Sequence, residues 1–148
     1  MLFTMSKPRI IGGTAKGREL DTPASGTRPS PARLREALFS VLAFEPRGEF
    51  LDLYSGSGAI GLEAASRGWR ATCVELSSKA AAVIQGNAKR LGLDVAVVRG
   101  DALAHADARP GHYQVLFAAP PYPDDLRSIF ARLLASGAVA AGGLYALQ

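Results

Sequence analysis

The stretch Gly56-Ser-Gly58-Ala-Ile-Gly61 spells GxGxxG, and it sits between an apolar run ending near Tyr54 and a segment of helical periodicity. That context is what the pattern requires, because a strand must deliver the loop and a helix must leave it for the backbone to approach a ligand closely. A nucleotide-like ligand is expected at the carboxyl end of the first strand. From Glu49 onward, short apolar runs alternate with helical patterns, the signature of βαβ units and a largely parallel sheet. Strands are predicted near Phe50–Tyr54, Ala71–Glu75, Val95–Val98, Tyr113–Ala118 and Leu144–Leu147, with helices near Ala59–Arg67, Ser78–Leu91 and Asp125–Ala135. Gly68 and Gly92 stand where left-handed helix ends belong. The fold class is therefore α/β, a Rossmann-like sandwich with helices on both faces.

The acids around the loop narrow the ligand. Asp52 lies four residues before Gly56, where a carboxylate would repel a pyrophosphate. A cationic ligand reverses the sign. S-adenosylmethionine carries an ammonium and a sulfonium and no phosphate, so Asp52 near its amino group makes electrostatic sense. Glu75 ends the second strand 19 residues after Gly56, at the offset where a carboxylate accepts ribose hydroxyls. NAD would use the same acid, and an NAD-dependent oxidoreductase is the competing reading that Asp52 argues against. Gly100-Asp101 follows the third strand; Asp101 could accept from an adenine amino group, and it also reads as a helix N-cap.

Residues 1–48 have a different texture. They hold eight basic residues against four acids, whereas residues 49–148 hold nine of each, so the whole net charge of +4 is N-terminal. An anionic partner approached from one side is expected, and nucleic acid is the usual candidate. Arg9–Leu20 reads as a β-hairpin with a long glycine-rich loop, and Ser30-Pro31 as an N-cap and first helical residue of a helix running to about Ala43. An RNA-binding extension over 1–48 and a cofactor-binding core over 49–148 are the expected units. The fifth strand is reached only at Gln148, so a core lacking its last strands is expected. No run approaches the ~18 apolar residues of a spanning helix and none near the start makes a signal peptide, so a cytoplasmic chain is the expectation. Cys73 alone cannot form an internal disulfide, it reads as a core strand residue, and with His105 and His112 it makes no metal site.

After the fourth strand comes Ala118-Ala119-Pro120-Pro121-Tyr122. Adjacent prolines stiffen this loop at the carboxyl edge of the sheet. With the glycine loop, the segment resembles motif IV of amino-group methyltransferases, Asp/Asn-Pro-Pro-Tyr/Phe. In that motif the first side chain and a backbone carbonyl accept the two hydrogens of an exocyclic amine, and the aromatic residue stacks on a flipped-out base.

Arg9-Ile-Ile-Gly-Gly, Thr27-Arg-Pro, Arg33-Leu-Arg-Glu-Ala-Leu-Phe39, the segment Leu51–Gly68 and the Pro-Pro-Tyr loop together resemble the bacterial RsmD family. Its members methylate the N2 amino group of one guanine in 16S ribosomal RNA. The resemblance implies S-adenosylmethionine as cofactor, without metal, held by Asp52, Tyr54, Ser55, Gly56, Gly58, Gly61, Glu75, Leu76, Asp101 and Ala102. It implies a catalytic loop of Ala119, Pro120, Pro121 and Tyr122, and an RNA grip by Arg9, Lys16, Arg18, Arg28, Arg33 and Arg35. The implied partner is ribosomal RNA or the assembled small subunit, met by a monomer away from any membrane. One position departs from the pattern. Ala119 replaces the Asp or Asn of motif IV and has no side-chain acceptor. Losing one such preorganised group costs on the order of 100-fold to 1,000-fold in rate. A catalytically impaired homologue that still binds cofactor and RNA, and an adenine-N6 methyltransferase, are the alternatives.

Overall fold

The computed structural model describes residues 7–24, 30–121 and 125–148. Five parallel strands form one sheet: β1 (Glu49–Leu53), β2 (Arg70–Glu75), β3 (Val95–Arg99), β4 (Tyr113–Ala118) and β5 (Val139–Leu147), in the order β3-β2-β1-β4-β5. The helices are α1 (Ala32–Val41), α2 (Ala59–Ser66), α3 (Ser78–Leu91), α4 (Ala102–Asp107) and α5 (Leu126–Ala135). The order reverses direction at β1 and β4. Their carboxyl ends therefore flank the crevice where open parallel sheets bind ligands.

Alternation along the central strands divides the core. Phe50, Val115 and Phe117 face α1 and α2, joining Leu38, Phe39, Ile60 and Trp69. Leu51, Leu53, Leu116 and Ala118 face the other way, against Ala102 and Ala106 of α4 and Leu133 of α5. A sheet covered on both faces explains the near-continuous apolar strands. Asp52 is the one charged residue in the fully buried part of β1, and it is 2% exposed. Among the described residues no helix is long and apolar enough to cross a membrane.

Several elements differ from the sequence reading. Strand pairing in the expected hairpin is limited to one antiparallel bridge, Arg9 with Glu19. The reason lies in α2. The amides of Ile11 and Gly12 both donate to the Glu63 carboxylate at 2.9 Å, and Ala15 N donates to Ser66 Oγ at 2.9 Å. The N-terminal segment thus forms a short hairpin, with Ile10 N donating to Arg18 O at 3.0 Å and Leu20 N to Pro8 O at 2.9 Å, and directs further amides to the core. Ile10, Ala15 and Leu20 pack with Ala59 and Leu62 of α2 and Ala88 of α3. Asn87 completes the fastening, accepting from Asp21 N at 3.0 Å and donating to Asp21 O at 2.9 Å.

Pro31, with extended ψ of 142°, is the N-cap of α1, so the helix starts one residue later than expected and Ser30 does not cap it. β5 is longer than predicted because its first half is apolar but irregular. A register shift intervenes between the pairs Tyr113↔Val139 and Val115↔Leu144. Helix α4 was legible only through its cap: Asp101 Oδ2 accepts from Ala104 N at 2.8 Å.

Candidate functional site

The site is built where β1 ends. Tyr54 leaves the strand with φ of 58°, a left-handed conformation that costs a non-glycine residue roughly 1–2 kcal/mol. That turn throws the chain out of the sheet into the glycine loop. Gly58 then serves as N-cap of α2 with φ of 76°, and a Cβ there would press into the Ile84 side chain at 2.8 Å. Neither the backbone angle nor the space admits a larger residue.

Two carboxylates hold the loop from below and from the side. Asp52 Oδ2 accepts from Gly61 N at 3.0 Å, tying the first turn of α2 to the central strand. Glu75 Oε1 accepts from Gly56 N at 2.8 Å, and its Oε2 accepts from Ser77 N at 2.7 Å. Burial pushes the Asp52 carboxyl from its ordinary 3.8 up to about 7, against the smaller opposing effect of the Gly61 amide. A desolvated acid poised there is stabilised as carboxylate by a nearby cation.

A cleft of about 350 Å³ opens beside this loop. Asp52, Tyr54, Ser55 and Ile60 line it from the β1–α2 side, and Phe117, Ala119 and Pro120 from β4. Ser30, Pro31 and Gln148 complete the wall. The structure therefore brings the chain entering the glycine loop, its buried acid and Pro120 into one cavity, while Gly56, Gly58 and Gly61 are not among the residues that line it. Farther along the sheet edge, Gly100 N donates to Glu75 O at 3.1 Å, which sets Leu76 beside Gly100. Leu76 is 72% exposed and nothing crowds Gly100. Leu76 thus stands exposed between Glu75 and the Gly100-Asp101 turn. Ala102, by contrast, is buried and packs in the core of the α4 face.

The described residues thus place a buried acid at the end of β1, a strand-end acid on the loop and an exposed leucine along one edge of the sheet. Asp101 is both cap and candidate, since only one of its oxygens holds Ala104 N. Tyr122 and Arg28 lie outside the described residues.

One expected RNA contact is corrected. Arg35 is 2% exposed, and its guanidinium donates to Arg9 O at 2.9 Å and pairs with Glu63 at 3.5 Å. It sits inside α1's packed face, where no phosphate can reach it. Arg9, Lys16, Arg18 and Arg33 are exposed. Arg9 is also ion-paired with Glu19 at 2.6 Å. Sequence reasoning missed Ser30, Pro31, Ile60, Phe117 and Gln148 as lining residues. Gln148 carried no local signal, because only the pairing of β5 with β4 brings it to the cleft.

A parallel sheet of this order, with a glycine loop after β1 and acids at the ends of β1, β2 and β3, defines a Rossmann-like fold of the class I methyltransferase kind. The chain belongs to the RsmD family, matching the family described as Conserved hypothetical protein 95 over residues 8–148. It is 37% identical over 118 residues to Ribosomal RNA small subunit methyltransferase D of Escherichia coli strain K12, covering 77% of this chain and 60% of that protein. The protein of the same name from Haemophilus influenzae is 33% identical over 123 residues, covering 77% of this chain and 63% of its own length. The chain therefore spans about three fifths of these curated relatives. The solved structure of a hypothetical protein from Thermus thermophilus superposes with a TM-score of 0.86 at 49% identity, covering 95% of this chain and 84% of that one.

Proposed function

We propose that this chain is an S-adenosylmethionine-dependent methyltransferase acting on ribosomal RNA, at the exocyclic N2 amino group of a guanine. The observation that carries the reading is the shared cleft, in which a buried acid behind a glycine loop faces a Pro-Pro segment. Asp52 would receive the cationic end of the cofactor, Glu75 the ribose hydroxyls, and the exposed Leu76 with Asp101 the adenine. The chemistry supplied by bound cofactor is an electrophilic methyl: an N–C bond forms as the C–S bond breaks, its electron pair stays on sulfur, and the amine proton passes to water. Pro120 and its neighbours orient the amine, and most of the rate gain is orientation. The guanine specificity rests on the family resemblance, since motif IV loops also serve other amines.

The test is calorimetry with S-adenosylhomocysteine and with NAD, followed by methyl transfer to unmodified small subunits and mapping of the labelled nucleotide. Tight binding of the first ligand only, and label in one guanine, is the expected result. Preference for NAD would sink the reading. Ala119 favours a second reading, a homologue that binds but turns over slowly; cofactor binding with transfer at background would select it.

Asp52 gives the proposal a pH signature. Because the free carboxyl titrates near 7, binding a cation below that pH releases a proton. Affinity for S-adenosylmethionine is expected to rise from about pH 5.5 to about pH 7.5 and then level off, and Asp52→Asn should flatten the profile. Calorimetry in buffers of different ionisation heat counts the proton directly; none released would remove Asp52 from the cationic end. Stability runs the other way. The raised value means that folding favours the protonated acid, so its contribution is full below about pH 4 and is lost as pH rises through about 7.

RNA binding is assigned to the exposed basic residues Arg9, Lys16, Arg18 and Arg33. Arg33 is the most informative, being two residues from Pro31 at the cleft. Replacing it with Glu is expected to weaken RNA affinity and to lower the slope of log affinity against log salt by about 1 to 2, with cofactor affinity unchanged. An unchanged slope would place the RNA elsewhere.

A further inference from the structure

The cleft poses a chemical problem that the chain's own residues answer. An exocyclic amine presents two hydrogens, and orienting its lone pair takes two acceptors. A backbone carbonyl of the Pro-Pro segment can serve one, but Ala119 leaves the other without a side-chain partner at its usual place. Two of the polar groups near the loop are already engaged. Ser55 Oγ donates to Asp52 O at 2.6 Å, and Asp52 Oδ2 holds Gly61 N.

The sheet register supplies a replacement. Ala118 pairs with Leu147, and Gln148 N donates to Ala118 O at 2.9 Å, so the ladder continues one step past the ends of β4 and β5. That step sets Gln148 beside Ala119. Paired residues on neighbouring strands point to the same face, about 4.8 Å apart. Both residues line the cleft. A glutamine side chain has length enough to carry its amide oxygen back across one strand spacing. Motif IV admits an amide or a carboxylate as acceptor, and Gln148 offers the former.

We infer that the Gln148 amide oxygen accepts the hydrogen bond from the substrate amine that position 119 no longer can, making Gln148 a catalytic residue displaced by one strand. It acts as an acceptor and not as a base, so the amine proton still leaves to water. This inference rests on reading the cleft as the methyl-transfer site.

The experiment measures single-turnover transfer to unmodified small subunits and S-adenosylhomocysteine affinity in the full chain, for the parent, Gln148→Ala, Gln148→Glu, Ala119→Asn and the double variant Ala119→Asn/Gln148→Ala. Gln148→Ala is expected to lower the rate on the order of 100-fold with ligand affinity unchanged. Ala119→Asn should restore the double variant to within about tenfold of the parent, which a merely structural role for Gln148 would not allow. Gln148→Glu should keep the rate where its carboxyl is ionised and lose it at lower pH, a profile step that the parent lacks. Gln148→Ala transferring at the parent rate, or no rescue by Ala119→Asn, overturns the inference. So does a parent that binds S-adenosylhomocysteine but transfers only once Ala119→Asn is made; that outcome leaves the proposed function standing. If neither the parent nor Ala119→Asn binds S-adenosylhomocysteine, the cofactor reading itself fails and the inference falls with it.

Discussion

Replacing Glu63 with alanine should destabilise the protein by about 3 to 5 kcal/mol, a large fraction of what a domain of this size has. Glu63 has no exposed surface, yet its carboxylate receives Ile11 N, Gly12 N and Arg67 Nε at 2.8–2.9 Å, with Arg35 Nη1 at 3.5 Å. Taking it away strands the Arg35 guanidinium, whose side chain is 3% exposed. Arg35 Nε already has no partner and burial already draws the guanidinium below its usual value, leaving only the Arg9 carbonyl and the weaker pull of Glu36 to offset the loss. The two backbone amides lose their acceptor at the same time. Urea denaturation followed by circular dichroism measures the loss, and amide exchange at Ile11 and Gly12 reports the segment itself. Glu63→Gln, which keeps one acceptor oxygen but no charge, should fall between. A loss under about 1 kcal/mol would mean that the N-terminal segment docks by its apolar residues alone.

Gly61→Ala should destabilise by about 3 kcal/mol, although alanine is the better helix former by nearly 1 kcal/mol. Gly61 is buried in the first turn of α2, and a Cβ there would run into Cys73 Sγ and come within 3.2 Å of Asp52 Oδ2. Both neighbours belong to packed central strands. The helix would have to rise off the sheet, stretching the Gly61 N to Asp52 bond and opening the floor of the cleft. Affinity for S-adenosylhomocysteine should fall more than about tenfold together with stability. Cys73→Ala removes the sulfur, so the double variant should recover much of the loss; simple additivity of the two substitutions would show that the clash is not the cause.

The alternating pattern from Glu49 onward and the glycine loop made the sheet and the acid positions legible, because both are local: strand period, helix period and turn chemistry leave marks within a dozen residues. What escaped depends on partners far along the chain. The hairpin over Arg9–Leu20 is present but short, and Glu63, more than fifty residues away, takes the Ile11 and Gly12 amides. Arg35 looked like its neighbour Arg33 in a basic segment, and only the helix's rotation separates the one that faces Glu63 from the one that faces water. Gln148 reaches the cleft through the pairing of β5 with β4, and that pairing contains a register shift that no strand pattern announces. Asp101 follows β3 and caps α4, whereas Ala102 turned inwards as part of the core.

Glu75 bridges the loop through both of its oxygens, one on Gly56 and one on Ser77. A seat clamped in this way is assembled before anything occupies it, and each oxygen keeps a second lone pair for an arriving hydroxyl. Little ordering entropy then opposes the ligand. A group arriving at Glu75 should therefore find its acceptors already fixed and leave the Gly56 and Ser77 amides where they stand.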